Sequence, residues 1–158
     1  MPRITPSLWF DLQSEEAAKF YVSVFPNSEI TNVTYYGEGG PRPAGTVLTV
    51  EFSLDGRAFT ALNGGPEFTF DEAVSFQIDC ADQAEVDHYW TKLSAGGQEG
   101  PCGWLKDKYG LSWQVVPTAL GELLADPDAE RAQRAMRAML GMGKLDVAAL
   151  RAAADGKA

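Results

Sequence analysis

The chain has 158 residues, 45% hydrophobic and 22% charged, the composition of an ordinary globular protein with enough length to bury a core of its own. Thirteen basic against 22 acidic residues leave a formal charge of −9, which argues against nucleic acid and anionic membrane surfaces as partners. Cys80 and Cys102 stand outside any Cys-x-x-Cys pair and read as reduced thiols. With no charged-then-apolar leader and no apolar run of about 18 residues, neither a secretory signal nor a membrane span is expected, and the cytoplasm is the expected compartment.

Ile4 to Phe10 reads as a first strand. A helix follows, with Ser14 as its N-cap, Glu15 and Glu16 in the first turn, and Ala17, Phe20, Tyr21 and Val24 recurring at helical spacing as a buried stripe. Pro26 and Asn27 end it. Glu29 to Tyr36 is a second strand, and Gly37 to Gly45 is a loop rich in glycine and proline. Thr46 to Leu54 and Ala58 to Leu62 flank Asp55-Gly56, a pair that supplies the positive φ angles of a tight hairpin turn.

The same grammar then returns. Ala73 to Asp79 is a strand. Asp82 caps a helix with Glu85 three residues on, a capping box, and Val86, Tyr89, Trp90 and Leu93 form its buried stripe until Gly96-Gly97 stops it. Short strands are expected around Trp104 to Lys106 and from Leu111 to Val116, with Pro117 closing the last. An offset of 69 residues lays Pro6 on Ser75, Trp9 on Ile78, Phe20 on Tyr89 and Tyr21 on Trp90, so the chain contains one module twice. The modules occupy about 1–66 and 70–118, and a helical extension, 119–158, follows. Asp126-Pro127 reads as a helix start there, with Ala132, Met136, Met139 and Leu140 on one packed face, and Asp146 begins a last helix through Ala154.

Two βαβββ modules resemble the vicinal oxygen chelate superfamily, the fold of glyoxalase I and of the bleomycin- and fosfomycin-resistance proteins. The wording narrows the resemblance to its PhnB-like branch: Ile4-Thr-Pro-Ser-Leu-Trp-Phe-Asp11, Phe20-Tyr-Val-Ser-Val-Phe-Pro-Asn27, Phe59-Thr-Ala-Leu-Asn-Gly-Gly-Pro66, the run from Gly100-Pro-Cys-Gly-Trp to Trp-Gln-Val-Val-Pro117, and the tail segment Lys144 to Leu150. The resemblance implies an α+β fold of eight strands in two curved sheets forming a barrel or cleft, and a homodimer. The branch often carries the label of a demethylubiquinone methyltransferase. That chemistry needs a glycine-rich turn between a strand and a helix to cradle a nucleotide-like cofactor. The glycines here fall in loops and helix ends, so the label lacks support in the sequence.

Metal-dependent relatives set four inward ligands, usually His and Glu, on the first, fourth, fifth and eighth strands. Carried over from Phe20-Tyr21 and the repeat, these positions fall on Pro6, Thr60, Ser75 and Gln114. Proline offers no side-chain donor, and hydroxyls and amides do not replace imidazole and carboxylate. The single histidine, His88, falls beside the second helix's buried stripe, facing solvent. No metal and no cofactor is therefore expected, a carboxylate-only site being the one metal arrangement left open.

Strand alternation separates the faces. In a two-residue hairpin Leu54 pairs with Arg57, so Phe52 lies opposite Phe59 and Glu51 opposite Thr60. Leu48, Val50, Phe52, Phe59 and Ala61 then share an apolar face, and Thr49, Glu51, Ser53 and Thr60 a polar one. Val74, Phe76 and Ile78 likewise oppose Ser75, Gln77 and Asp79. The expectation is a polar cleft with Glu51, Thr60, Ser75, Gln77 and Gln114, walled by Leu8 and Phe10. Asn63 is read at its mouth or as a turn former, and Trp104 as a stacking platform or a core residue. Cys102, far from any base, is a small filler. Three functions follow: binding or sequestering an unidentified small molecule without metal, metal-independent catalysis with Glu51 as a desolvated general base, and, against the ligand set, a metal-dependent lyase or dioxygenase.

Overall fold

The computed structural model describes residues 1–157 and divides the chain into two units, Met1–Phe70 and a second beginning at Asp71. The first contains β1 (Ser7–Phe10), α1 (Ser14–Val24), β2 (Glu29–Tyr35), β3 (Val47–Leu54) and β4 (Arg57–Asn63). Its sheet has the order β1-β4-β3-β2, with β1 parallel to β4 and the other pairs antiparallel. Asp55 and Gly56 both take positive φ, 48° and 80°, as the hairpin requires. Leu54 pairs with Arg57, Phe52 with Phe59 and Glu51 with Thr60, the register expected from the turn. The apolar face receives α1: Tyr21 stacks on Phe52 at 6.2 Å and Phe52 on Phe59 at 5.4 Å. Ala17, Ala18, Tyr21 and Val24 are buried, the large side chains contributing about 1.5–3 kcal/mol each, whereas Phe20, expected in the stripe, is only half-buried.

The start of α1 differs from the expectation. Ser14 is its first residue, and Gln13, at the cap position, makes no side-chain hydrogen bond. The cap comes from across the sheet. Asn63 Oδ1 accepts from the Ser14 amide at 2.9 Å, while its Nδ2 donates to the Val47 carbonyl at 3.1 Å. Only 2% exposed, Asn63 ties the end of β4 to the entry of the helix.

The second unit contains β5 (Ser75–Cys80), α2 (Gln83–Ser94), β6 (Gln98–Glu99), β7 (Trp104–Lys106) and β8 (Ser112–Pro117). Its order β5-β8-β7-β6, with β5 parallel to β8, repeats that of the first sheet. Asp82 Oδ1 accepts from the Glu85 amide at 2.9 Å, and the Glu85 carboxylate reaches back to the Ala81 amide, also at 2.9 Å. All four stripe residues, Val86, Tyr89, Trp90 and Leu93, are buried. The fold is thus α+β, a βαβββ module twice. β6, only two residues long, carries no strand pattern of its own.

Three helices complete the second unit: α3 (Thr118–Leu124), α4 (Ala129–Leu140) and α5 (Val147–Ala154). α3 has no counterpart in the sequence reading. α4 is capped by Asp128, two residues later than the Asp126-Pro127 signal, because the Asp126 carboxylate is occupied by the Asp128 amide and by Arg131, at 2.8 and 2.9 Å. Its packed face also differs: Ala135 is buried, whereas Met136 and Leu140 are 39% and 60% exposed. The tail's core is Leu120, Leu145 and Leu150, with Met139 and Met142 against it. α5 starts at Asp146 as expected, its carboxylate accepting from the Ala149 amide. Among the described residues no helix is long and apolar enough to cross a membrane.

Two outcomes test this packing. Asn63→Ala removes the acceptor for Ser14 and the donor to Val47, and a loss of about 2 kcal/mol in urea unfolding is expected. Cys80 is buried at the end of β5, and burial, then the nearby Glu85 and Asp79 carboxylates, pushes its thiol up to about 12. Cys102 is half-buried. A thiol reagent at pH 8 is therefore expected to modify Cys102 in the folded protein and Cys80 only after denaturation, which mass spectrometry of peptides would show.

Candidate functional site

A sheet with a helix on one face leaves the other for a ligand, and the register says which residues lie there. In the first unit Ser7 is paired with Thr60 and Trp9 with Leu62, so these residues and Glu51 lie on the face turned away from α1. Glu51 is exposed and Thr60 half-buried. Leu8 and Phe10 are paired with Ala61 and Asn63, on the α1 side, and are only 7% and 4% exposed. They are core, not cleft walls, and Asn63 is a helix cap, not a mouth residue.

The physical reason is a single residue. The connector from β1 to α1 holds Asp11, Leu12 and Gln13, whereas that from β5 to α2 holds only Ala81 and Asp82. The 69-residue offset is right for the helices and one short for the strands. A one-residue slip exchanges the two faces of a strand. It is therefore Ser7, not Pro6, that stands beside Thr60; the Pro6 carbonyl accepts from the Thr60 amide at 2.9 Å.

The segment after β4 closes over the same face. Trp9 Nε1 donates to the Gly65 carbonyl at 2.9 Å, and its ring meets Phe68 edge-on at 5.0 Å. A Cβ at Gly64 would come within 2.4 Å of the Trp9 ring, so that position needs glycine for room.

In the second unit the face away from α2 carries Ser75 and Gln77 from β5, Ser112 and Gln114 from β8, and Trp104 and Lys106 from β7. Gln114 Nε2 donates to Ser75 Oγ at 2.9 Å, and Gln77 Nε2 to Asp79 Oδ1 at 2.9 Å. Lys106 pairs with Glu72, and the ammonium, donating to that carboxylate, is the main cause holding the Glu72 carboxyl below the usual range. Ser112 is fully buried, and its Oγ has no hydrogen-bond partner. A cavity of about 570 Å³ opens here, lined by Trp104, Leu105, Lys106, Ser112, Glu72 and the turn that carries Cys102. Lys106 was not singled out in the sequence, and Ser112, placed with Gln114 on the polar face by alternation, was not counted among the site residues. Alternation from Gln114 reaches Ser112 in one step, and a basic residue two places beyond Trp104 was the available signal for Lys106.

The turn from β7 to β8 is held by Asp107. Its carboxylate accepts from the amides of Tyr109 and Leu111 at 2.9 and 3.1 Å, and from Trp113 Nε1 at 2.9 Å, while it is only 2% exposed. Cys102 takes a left-handed φ of 57°. Its amide donates to the Met142 carbonyl at 2.7 Å, and the Gly103 amide donates to the Gly143 carbonyl at 2.9 Å, so the tail braces this wall. His88 is exposed on α2, its ring edge-on to Tyr89 at 4.9 Å.

A divalent ion does not fit these positions. Ser7 with Thr60, and Ser75, Gln77, Ser112 and Gln114, offer hydroxyls and amides in place of imidazole and carboxylate. Among the described residues no three His, Cys, Asp or Glu side chains converge in a way that would hold a metal.

A family model described as 3-demethylubiquinone-9 3-methyltransferase matches residues 2–116. A solved structure, the putative 3-demethylubiquinone-9 3-methyltransferase, PhnB protein, from Bacillus cereus, is 36% identical over 73% of this chain and 99% of that one, with a TM-score of 0.66. A protein from Pseudomonas aeruginosa (19% identity, 74% and 98% coverage, TM-score 0.61) and a gene product from Arabidopsis thaliana (18%, 73% and 98%, 0.52) share the fold. No curated protein matches the chain. The family match ends at residue 116, so the tail segment Lys144 to Leu150, which the sequence resemblance included, lies outside it. Over its two modules the chain belongs to the PhnB-like family that carries the 3-demethylubiquinone-9 3-methyltransferase description.

Proposed function

We propose that this protein binds a small molecule in the cavity of its second unit and holds it without a metal ion. The observation that carries this reading is the cavity itself. Its volume of about 570 Å³ lies within the range of about 300–1,000 Å³ usual for small-molecule sites. Its lining joins an aromatic side chain, Trp104, to a few polar groups, Lys106, Glu72 and Ser112, the mixture that gives such sites both affinity and orientation.

The methyl-transfer chemistry in the family's description has no support in the two strand-to-helix connectors. Neither Asp11-Leu12-Gln13 nor Ala81-Asp82 contains a glycine, and both are too short to wrap a nucleotide-like cofactor. Proton transfer by Glu51 is the second reading. It calls for a desolvated carboxylate, and Glu51 is exposed on the sheet face opposite α1. Binding is favoured over catalysis on that ground.

A thermal-shift screen of small aromatic acids, amides and amines tests the reading. Binders are expected to raise the melting temperature and to be recovered unchanged by mass spectrometry; steady conversion would favour an enzyme. Trp104→Ala is expected to weaken binding about tenfold through lost stacking. Glu51→Gln is expected to change neither binding nor turnover, and a loss of activity in that variant would restore the proton-transfer reading.

A further inference from the structure

We infer that the cavity takes a carboxylate-bearing molecule, whose carboxylate replaces that of Glu72 on Lys106 and accepts a hydrogen bond from Ser112. The inference rests on the binding reading above and names the class of ligand.

The order of the strands carries the argument. Lys106 belongs to β7, and Glu72 lies three residues before the start of β5. β8 runs between these two strands. On β8 it is Ser112 that is paired with Lys106 on one side and with Ser75 on the other. The Lys106–Glu72 ion pair therefore spans β8 at the level of Ser112.

Beneath that span the Ser112 hydroxyl is fully buried and has no partner. Buried polar groups are satisfied as a rule, and each exception asks for an explanation. The neighbouring hydroxyl of Ser75 is already engaged by Gln114. A serine hydroxyl can donate or accept; next to the Lys106 ammonium an acceptor is the group that serves both, and a carboxylate is acceptor-only, with room for an ammonium and a hydroxyl at once. Lys106 is the one cationic side chain in the cavity's lining, and the Glu99 carboxylate there is engaged by Trp90 Nε1 at 2.9 Å.

Displacement costs little. The two side chains of the pair are 38% and 57% exposed, and ion pairs so placed contribute little to stability. Glu72 lies outside the sheet, so its departure breaks no strand pairing. It stands where the ligand's carboxylate would sit, an internal occupant of its own protein's anion position. Trp104 and Pro101 supply apolar surface for the rest of the molecule.

The test is isothermal titration of the full-length protein with phenylacetate and 3-phenylpropionate, and with their uncharged amides. The acids are expected to bind at least tenfold more tightly than the amides. Glu72→Gln removes the internal competitor and is expected to tighten acid binding about threefold to fivefold. Lys106→Met is expected to bring the acids down to the level of the amides, and Ser112→Ala to weaken them about tenfold. Tightening on substitution is a result that damage to the fold does not produce. Amides equal to acids, or acid affinity unchanged or weakened in Glu72→Gln, would overturn the anion assignment and leave the binding reading standing. If neither series binds, the anion assignment falls, and the wider thermal-shift screen decides the binding reading on its own.

Discussion

Each sheet has two faces, and in each module a helix takes one of them, which constrains everything else. Once Tyr21 of α1 is stacked on Phe52, and Phe52 on Phe59, the alternate residues of β3 and β4 have only the opposite side. The same holds where Val86, Trp90 and Leu93 of α2 are buried and Trp113 and Val115 face them from β8. The hydrophobic effect thus locates the functional face indirectly, by using up the other one. Whether a given residue is core or site depends on the parity of its position, and parity depends on connector length. One added residue between β1 and α1 places Leu8 in the core and Ser7 beside Thr60.

The second sheet adds a polar constraint. Asp107 sits at the β7–β8 turn, where the Asp107 amide donates to the Leu111 carbonyl and the Gly110 amide to the Asp107 carbonyl. Its buried carboxylate is matched by three N–H donors, one of them the indole of Trp113, which is itself packed on the α2 side. A buried carboxylate is costly unless so matched, which makes the turn's geometry all-or-none. That geometry pairs Lys106 with Ser112 and Trp104 with Gln114. The cavity's polar contacts are in this sense set from the opposite face of the sheet.

Elements with a periodic signal were legible in the sequence. The Asp55-Gly56 hairpin and the Asp82–Glu85 box rest on contacts between residues close in the chain, and the helix stripes, Phe20 excepted, are written in local spacing although their burial is against distant strands. What was illegible depends on distant partners. Ser14 reads as a cap by residue type, yet the cap is Asn63, 49 residues away. Asp126-Pro127 reads as a helix start, yet Arg131 and the Asp128 amide engage its carboxylate and move the start onward. β6 exists only through its pairing with Lys106 and Leu105. The polar faces were legible by alternation, whereas Leu8 and Phe10 were misplaced because the repeat's offset was taken from the helices. A repeat found by aromatic side chains aligns what those side chains pack, and strands joined through a longer connector need not keep the same offset.

The tail shows how a segment outside the family match enters the site. The Gln83 side chain, on the first residue of α2, donates to the Leu145 carbonyl at 3.0 Å and accepts from the Val147 amide at 2.8 Å, and Lys144 pairs with Asp87 at 2.8 Å. These contacts fix the residues just past α4 against α2. Met142 and Gly143, in that stretch, accept from Cys102 and Gly103. Gly103, at φ 84°, has no room for a side chain: a Cβ would come within 2.8 Å of the Val115 carbonyl and 3.0 Å of Leu145. The wall of the cavity is thus held between β8 and a segment that the family match does not cover. Left-handed backbone at a non-glycine residue is unfavourable and persists where the surroundings enforce it. At Cys102 the enforcing contact comes from the tail, so the extension shapes the wall of the site while contributing none of the side chains that line it.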